Sequence, residues 1–255
     1  IMMPKMIEAG YPKPFVIVLA ASAALLEALI PPSNAAILYS ALTYVPVSQT
    51  FAAGVFPGLI LLLFMIALVL FKCRHIERSK PATNYEKLIL GIKAFPALLT
   101  PLIILGGIYG GLLTPSESAA VSGIWAIFMG FLIYRELTIG SLLKSIKDTA
   151  ITTSVIFSII AMATFLSKVF TYTQFPQFII KSITDMGVGL NFFWFAMALI
   201  CLILGTFIEI VPVFYLTIPI FTAIILSFDQ SLIHLYVVFV AFAGIVMITP
   251  PVCVG

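Results

Sequence analysis

Between Phe51 and Phe71 the chain carries no charged residue, and comparable apolar runs recur along its length. About 20 apolar residues in a helix cross the hydrocarbon core of a bilayer. Inside lipid every backbone polar group must be satisfied within the protein, which leaves only helices or closed barrels. These runs are far longer than the roughly 10 alternating residues of a barrel strand. The chain therefore belongs to the all-α integral membrane class. Composition agrees: 62% of residues are hydrophobic and 9% are charged, where a soluble domain carries roughly 25% charged residues.

The expected spans are Phe15–Leu42, Phe51–Phe71, Ala94–Leu113, Ala119–Tyr134, Thr149–Val169, Leu190–Ile208, Val213–Ser227 and Leu232–Ile248. Polar, basic sequence fills Lys72–Lys93, with a surface helix expected near Tyr85–Lys93, and Arg135–Lys147 forms a second basic loop. Phe170–Gly189 is mixed and fits a helix lying in the interface. Lys and Arg collect on the cytoplasmic side of membrane proteins. If Phe15–Leu42 crosses once as a broken helix, every Lys and Arg except Lys168 and Lys181 falls on that side. A hairpin there would invert the later loops and break the rule. The same count makes the run from Leu232 point inward, so the interruptions Pro31-Pro32 and Pro250-Pro251 lie on helices of opposite polarity. Paired broken helices of opposite polarity are a mark of inverted-repeat secondary transporters.

Other functions are poorly served. Cys73, Cys201 and Cys253 are scattered without a C-x-x-C pair, which indicates neither a zinc site nor a disulfide framework. No basic stripe suggests nucleic acid as a partner. An intramembrane enzyme needs a nucleophile with a base, or a metal cluster. Ser33 has no His or Lys on its helix face, so the chain is not expected to be an enzyme. Residues 1–255 form one transmembrane transporter domain, expected to be a fragment of a longer protein.

Pro31-Pro32-Ser33-Asn34 is the first candidate site. Two prolines remove two backbone donors and obstruct the preceding turn, and irregular backbone at membrane depth survives only inside protein or against a wet cavity. The carbonyl-rich end before Pro31 suits a cation. The fresh helix N-terminus after Ser33 suits a carboxylate, and Ser33 and Asn34 add caps or ligands. Thr249-Pro250-Pro251 repeats the arrangement. Between two apolar runs stands Gly205-Thr206-Phe207-Ile208-Glu209, where a carboxylate near membrane depth is a candidate functional group. If those runs form a hairpin, its tip would meet the Pro-Pro break from the other side. Glu27 lies one turn before Pro31, with no partner evident in the sequence. Glu117 after Thr114-Pro115 fits a helix start.

Four stretches carry a resemblance to a known family: Pro4-Lys5-Met6 through Gly10-Tyr11, Leu29-Ile30-Pro31-Pro32-Ser33 through Tyr39, Gly106-Gly107-Ile108 through Gly111 with Thr114-Pro115-Ser116-Glu117-Ser118-Ala119-Ala120, and Ile248-Thr249-Pro250-Pro251-Val252. Gly205–Glu209 and Pro219 also fit. In this order they resemble the large membrane subunit of the tripartite ATP-independent periplasmic (TRAP) transporters. The resemblance implies an inverted-repeat, elevator-type carrier with re-entrant hairpins and Pro-Pro-broken helices, multi-pass in the bacterial inner membrane. It implies symport with sodium as coupling ion and no other cofactor. The implied partners are a small TRAP membrane subunit, membrane lipid and a periplasmic substrate-binding protein. That protein delivers an organic acid such as a dicarboxylate, keto acid or sialic acid.

By the same resemblance residues 15–44 are the broken helix of the first repeat and 72–93 a cytoplasmic basic loop. Residues 190–228 would be the second hairpin and 231–255 the broken helix of the second repeat. A first hairpin would precede Ile1. The implied substrate and ion site comprises Pro31, Pro32, Ser33, Asn34, Gly205, Thr206, Glu209, Thr249, Pro250, Pro251 and Val252, with sodium at Ser33, Gly205, Thr206 and Thr249. The family pattern places glycine where Glu27, Ser40 and Cys253 stand, and an apolar residue where Asn34 stands. Two of these departures flank the first break, which implies a difference in ion coordination or substrate preference. A related sodium/carboxylate or ion symporter, working without a binding protein, would share the paired breaks.

Overall fold

The computed structural model describes residues 2–75, 83–185, 189–207 and 210–246. Among these the regular elements are all helical. In chain order they are α1 (Met2–Glu8), α2 (Lys13–Leu29), α3 (Asn34–Thr43), α4 (Val47–Lys72), α5 (Asn84–Tyr109) and α6 (Pro115–Phe128). A π-helical turn, Met129–Ile133, follows. Then come α7 (Ile139–Tyr172), α8 (Phe175–Asp185), α9 (Leu190–Phe207), α10 (Ile210–Ser227) and α11 (Leu232–Val246). Among the described residues six segments are long and apolar enough to cross a membrane: Lys13–Thr43, Val47–Lys72, Asn84–Tyr109, Pro115–Ile133, Ile139–Tyr172 and Ile210–Ser227. The protein is a multi-pass, all-helical membrane protein.

Local sequence explains where the helices begin and end. The α2 helix stops at the prolines that follow it, and α3 restarts after Ser33 and ends at Tyr44, whose φ of 61° is left-handed. The α5 helix starts at Asn84 rather than at Ala94, so the stretch expected as a separate surface helix is the first part of the span. A cap marks the start: the Thr83 amide donates to the Glu86 carboxylate at 2.8 Å, which satisfies one of the donors that a helix start leaves without a partner. The second basic loop is shortened in the same way, because the Thr138 and Ser141 side chains each accept the other's backbone amide, at 3.2 and 2.9 Å. That cap places Lys144 and Lys147 on α7.

The chain divides into two compact units. The first comprises Ile1–Ile76 and Phe157–Gly255. Its core is formed by Val16 of α2, Tyr39 of α3, Phe51 of α4, Phe214 and Ile218 of α10, and Tyr236 and Phe239 of α11, all essentially inaccessible. The rings of Phe214 and Phe239 meet edge to face at 4.8 Å between centroids, a preferred aromatic geometry. Phe193 near the start of α9 contacts Phe221 and Phe228 near the end of α10, at 5.9 and 6.4 Å. These two helices are therefore an antiparallel pair.

The second unit, Glu77–Ile156, is built on an α5–α6 hairpin. Its contacts run in opposite directions along the two helices. A Cβ on Gly107 would sit 3.0 Å from the Ser118 hydroxyl. The Trp125 indole donates to the Pro96 carbonyl at 3.0 Å, and the Tyr134 hydroxyl to the Lys93 carbonyl at 2.9 Å. Both units leave many large apolar side chains exposed, among them Phe56, Leu63 and Phe64 in the first and Leu98 and Leu102 in the second. Such a surface is untenable in water and suits lipid as solvent.

Candidate functional site

The first break is built by what the prolines withhold. In an unbroken helix the amides at positions 31 and 32 would serve the carbonyls of Glu27 and Ala28, and proline has no amide hydrogen to give. The buried Ser33 hydroxyl replaces one of them, donating to the Ala28 carbonyl at 2.7 Å. The same oxygen accepts the Ala36 amide at 3.2 Å and so caps α3. One hydroxyl thus closes α2 and opens α3. The bond joining the two prolines is cis.

The next carbonyl, that of Leu29, is covered by α4. A Cβ added at Gly54 would overlap that oxygen, and one at Gly58 would lie 2.6 Å from the Ile30 side chain. The spacing of four puts both glycines on one face of α4, the arrangement by which membrane helices approach closely. Ser40 and Thr50 join α3 to α4 through buried hydroxyls 2.9 Å apart. The Tyr39 hydroxyl donates to the Leu232 carbonyl at the start of α11, at 2.6 Å. The broken helix is thereby fixed on two sides.

On its remaining side the break opens onto a cavity of about 190 Å³. Ala24, Glu27 and Ala28 of α2 form one wall, Asn34, Ala35 and Leu38 of α3 a second, and Ile210, Val211 and Phe214 of α10 a third. The first turn of α10 therefore lies beside the Pro-Pro break. Asn34 and Glu27 face each other across the break, the amide Nδ2 3.5 Å from the carboxylate Oε1. That distance makes a weak hydrogen bond, but it fixes the two side chains as neighbours on the cavity wall. Glu27 is the one ionisable side chain among the described residues lining the cavity.

The remaining expected site residues are distributed as follows. Pro31 and Ser33 sit in the break itself, Ser33 fully buried and Pro32 exposed. Gly205 is buried in the last turn of α9. The neighbouring Thr206 hydroxyl donates back to the Leu202 carbonyl at 2.6 Å. Neither of these two lines the cavity. Glu209, Thr249, Pro250, Pro251 and Val252 lie outside the described residues, as does Cys253. The described part of α11 does approach the break region: a Cβ at Gly244 would run into the Leu25 side chain of α2.

Sequence reasoning left Glu27 without a partner. Asn34 stands seven residues further on, two turns of an unbroken helix, but the chain leaves the helix between Leu29 and Asn34, so that spacing carries no signal of the pair. Gly54 and Gly58 were also passed over, although their spacing marks a close-packing face.

Comparison with known proteins bears on the whole chain. The family model described as tripartite ATP-independent periplasmic transporter, DctM component, matches residues 1–255. A C4-dicarboxylate TRAP transporter large permease protein of Pseudomonas aeruginosa is 33% identical, over 97% of this chain and 58% of its own length. A sialic acid TRAP transporter large permease protein of Vibrio cholerae is 29% identical, over 96% of this chain and 58% of its own. An ectoine/5-hydroxyectoine TRAP transporter large permease protein of Ruegeria pomeroyi is 28% identical, over 97% and 58%. All three are named as transport permeases and none as an enzyme. The chain spans less than two thirds of the length of each.

Proposed function

Because this chain belongs to the DctM-component family of the tripartite ATP-independent periplasmic transporters, we propose that it carries the broken-helix part of a sodium-coupled carrier for an organic acid. The observation that carries this reading is the cavity where the α2–α3 break meets the start of α10. Irregular backbone beside a cavity is the arrangement from which transporters bind ions with carbonyls and anions with helix N-termini.

In this reading the residues divide their work by chemistry. Sodium prefers oxygen ligands, and the Glu27 carbonyl, deprived of an intrahelical donor by Pro31, is one such oxygen. Ser33, Gly205, Thr206 and Thr249 are the other proposed ligands. The Ser33 oxygen already serves two hydrogen bonds, so an ion there would use its remaining lone pair. A substrate carboxylate would take the free amides of the first turn of α3, where the partial positive charge of the helix lies. Pro31, Pro32, Asn34, Glu209, Pro250, Pro251 and Val252 shape the same site. Ion binding organises the substrate site, and the assembled unit then moves against a scaffold to expose it alternately to the two sides. The proposed setting is the bacterial inner membrane, with a small TRAP subunit and a periplasmic binding protein that delivers the acid. Relatives named for C4-dicarboxylate, sialic acid and ectoine are consistent with such a delivery system serving varied cargo.

The test is uptake by the complete protein and its small subunit in liposomes. Labelled organic acids are offered under an inward sodium gradient, with and without the cognate binding protein. Uptake that needs both is the expected result. Uptake that needs sodium alone would move the protein to the class of binding-protein-independent symporters. Uptake indifferent to sodium would remove the coupling assignment.

A further inference from the structure

The cavity at the break has two electrical poles, and a carboxylate side chain, that of Glu27, stands at the cation-favouring one. At the α3 side the amides of Asn34 and Ala35 belong to the first helical turn, where backbone donors lack intrahelical partners. Both residues line the cavity. At the α2 side stands the Glu27 carboxylate, exposed into the same space. Asn34 braces it with a long amide contact of 3.5 Å, which does not neutralise it. The negative end of the α2 dipole lies on the same side. No Lys or Arg is among the described residues lining the cavity. A dianion placed here would find one favourable pole and one repulsive carboxylate. A molecule carrying a carboxylate and a cationic nitrogen would find both poles favourable.

We propose that Glu27 is a specificity-determining residue of this carrier and selects a zwitterionic carboxylate over a simple dicarboxylate. This rests on the reading of the chain as a carrier. The cationic nitrogen lies against the Glu27 carboxylate, and the cargo's own carboxylate lies at the start of α3. Asn34 is a positioning residue, holding the Glu27 side chain toward the cavity rather than contacting the nitrogen itself.

The experiment uses the complete transporter with its small subunit, purified and reconstituted. Glycine betaine is the zwitterionic probe and succinate the dianionic one. Binding to the membrane protein is measured by competition without a binding protein, and sodium-driven uptake is measured separately with the cognate binding protein. The wild type is expected to bind glycine betaine at least tenfold more tightly than succinate. Glu27→Gln removes that preference, and Glu27→Asp restores at least part of it. Rescue by the aspartate separates a charge effect from a packing effect. Equal or better binding of succinate, absence of betaine binding at millimolar concentration, or an unchanged preference in Glu27→Gln each overturns the proposal. If succinate uptake nevertheless needs sodium and the binding protein, the carrier reading stands while the zwitterion assignment falls. If neither probe is taken up under any gradient, the zwitterion assignment falls together with the evidence sought for a carrier.

Discussion

Two of the described helix starts combine a proline with a hydroxyl cap, Ser33 for α3 and Thr114 for α6, and they solve the problem differently. At Thr114-Pro115-Ser116-Glu117 the cap closes on itself. The Glu117 carboxylate accepts from the Thr114 amide at 2.7 Å and from its hydroxyl at 2.8 Å, while the Thr114 oxygen accepts the Glu117 amide. At Pro31-Pro32-Ser33-Asn34 the cap reaches backwards instead, joining the Ala28 carbonyl of one helix to the Ala36 amide of the next. The first arrangement is exposed and complete, a turn between two spans. In the second the capping hydroxyl is buried, and Asn34 and the first turn of α3 border a cavity that Glu27 shares. A helix start that satisfies itself makes a connection, and one that stitches two half-helices together leaves binding groups over.

The glycines beside the two regions give the largest expected effect. A side chain at Gly54 meets the Leu29 carbonyl, whereas one at Gly107 meets the side chains of Leu113 and Ser118. Backbone cannot swing aside as a leucine side chain can, and overpacking a close contact costs roughly 1–3 kcal/mol or more. Gly54→Leu is expected to cost about 3 kcal/mol or more and to yield little folded protein in detergent. Gly107→Leu, followed by the same thermal unfolding assay, is expected to lose visibly less. Equal losses would mean that the break is no more tightly braced than the α5–α6 turn.

The Ser33 hydroxyl comes next. Its removal leaves the Ala28 carbonyl buried without a donor, and an unsatisfied buried group costs about 1–3 kcal/mol. Ser33→Ala should therefore lower the unfolding temperature in detergent. If Ser33 also ligates sodium, the variant shifts the sodium-activation midpoint of uptake upward beyond what lost stability explains, and Thr249→Ala does the same. Unchanged sodium activation in both variants would leave Ser33 a stitch and nothing more.

These differences also mark how far the sequence could be followed. The membrane class, the apolar runs that form α9 and α10, and the interruption at Pro31-Pro32 were legible, because apolar run length and proline chemistry act locally. The meeting of the α10 start with the break was legible as a conditional, from two interrupted runs that needed each other. The span of α5 was begun at Ala94 because Lys87 and Lys93 set Tyr85–Lys93 apart as a surface helix, while the Thr83–Glu86 cap begins one continuous helix at Asn84. The Glu27–Asn34 pair was not legible, because their approach depends on the direction in which the chain leaves the double proline. A sequence names the prolines and leaves that direction to packing by Gly54, Gly58 and the Tyr39–Leu232 hydrogen bond.

The smallest effect belongs to the self-closing cap, and it tests the comparison from the other side. Thr114→Ala removes the hydroxyl that accepts the Glu117 amide and donates to its carboxylate. Replacing a threonine cap by alanine costs roughly 0.5–2 kcal/mol, and this cap is exposed to solvent, so about 0.5–1 kcal/mol is expected. Thr114 and Glu117 form one network, so Glu117→Gln added to Thr114→Ala should cost less than the two single changes together, as coupled neighbours do. Neither change touches the cavity at the break, and the sodium-activation midpoint should stay at the wild-type value. A shift in that midpoint as large as the one from Ser33→Ala would erase the distinction between the two helix starts. It would require the α5–α6 turn to take part in ion binding. A small loss of unfolding temperature with unaltered sodium dependence keeps ion chemistry at the start whose cap reaches backwards.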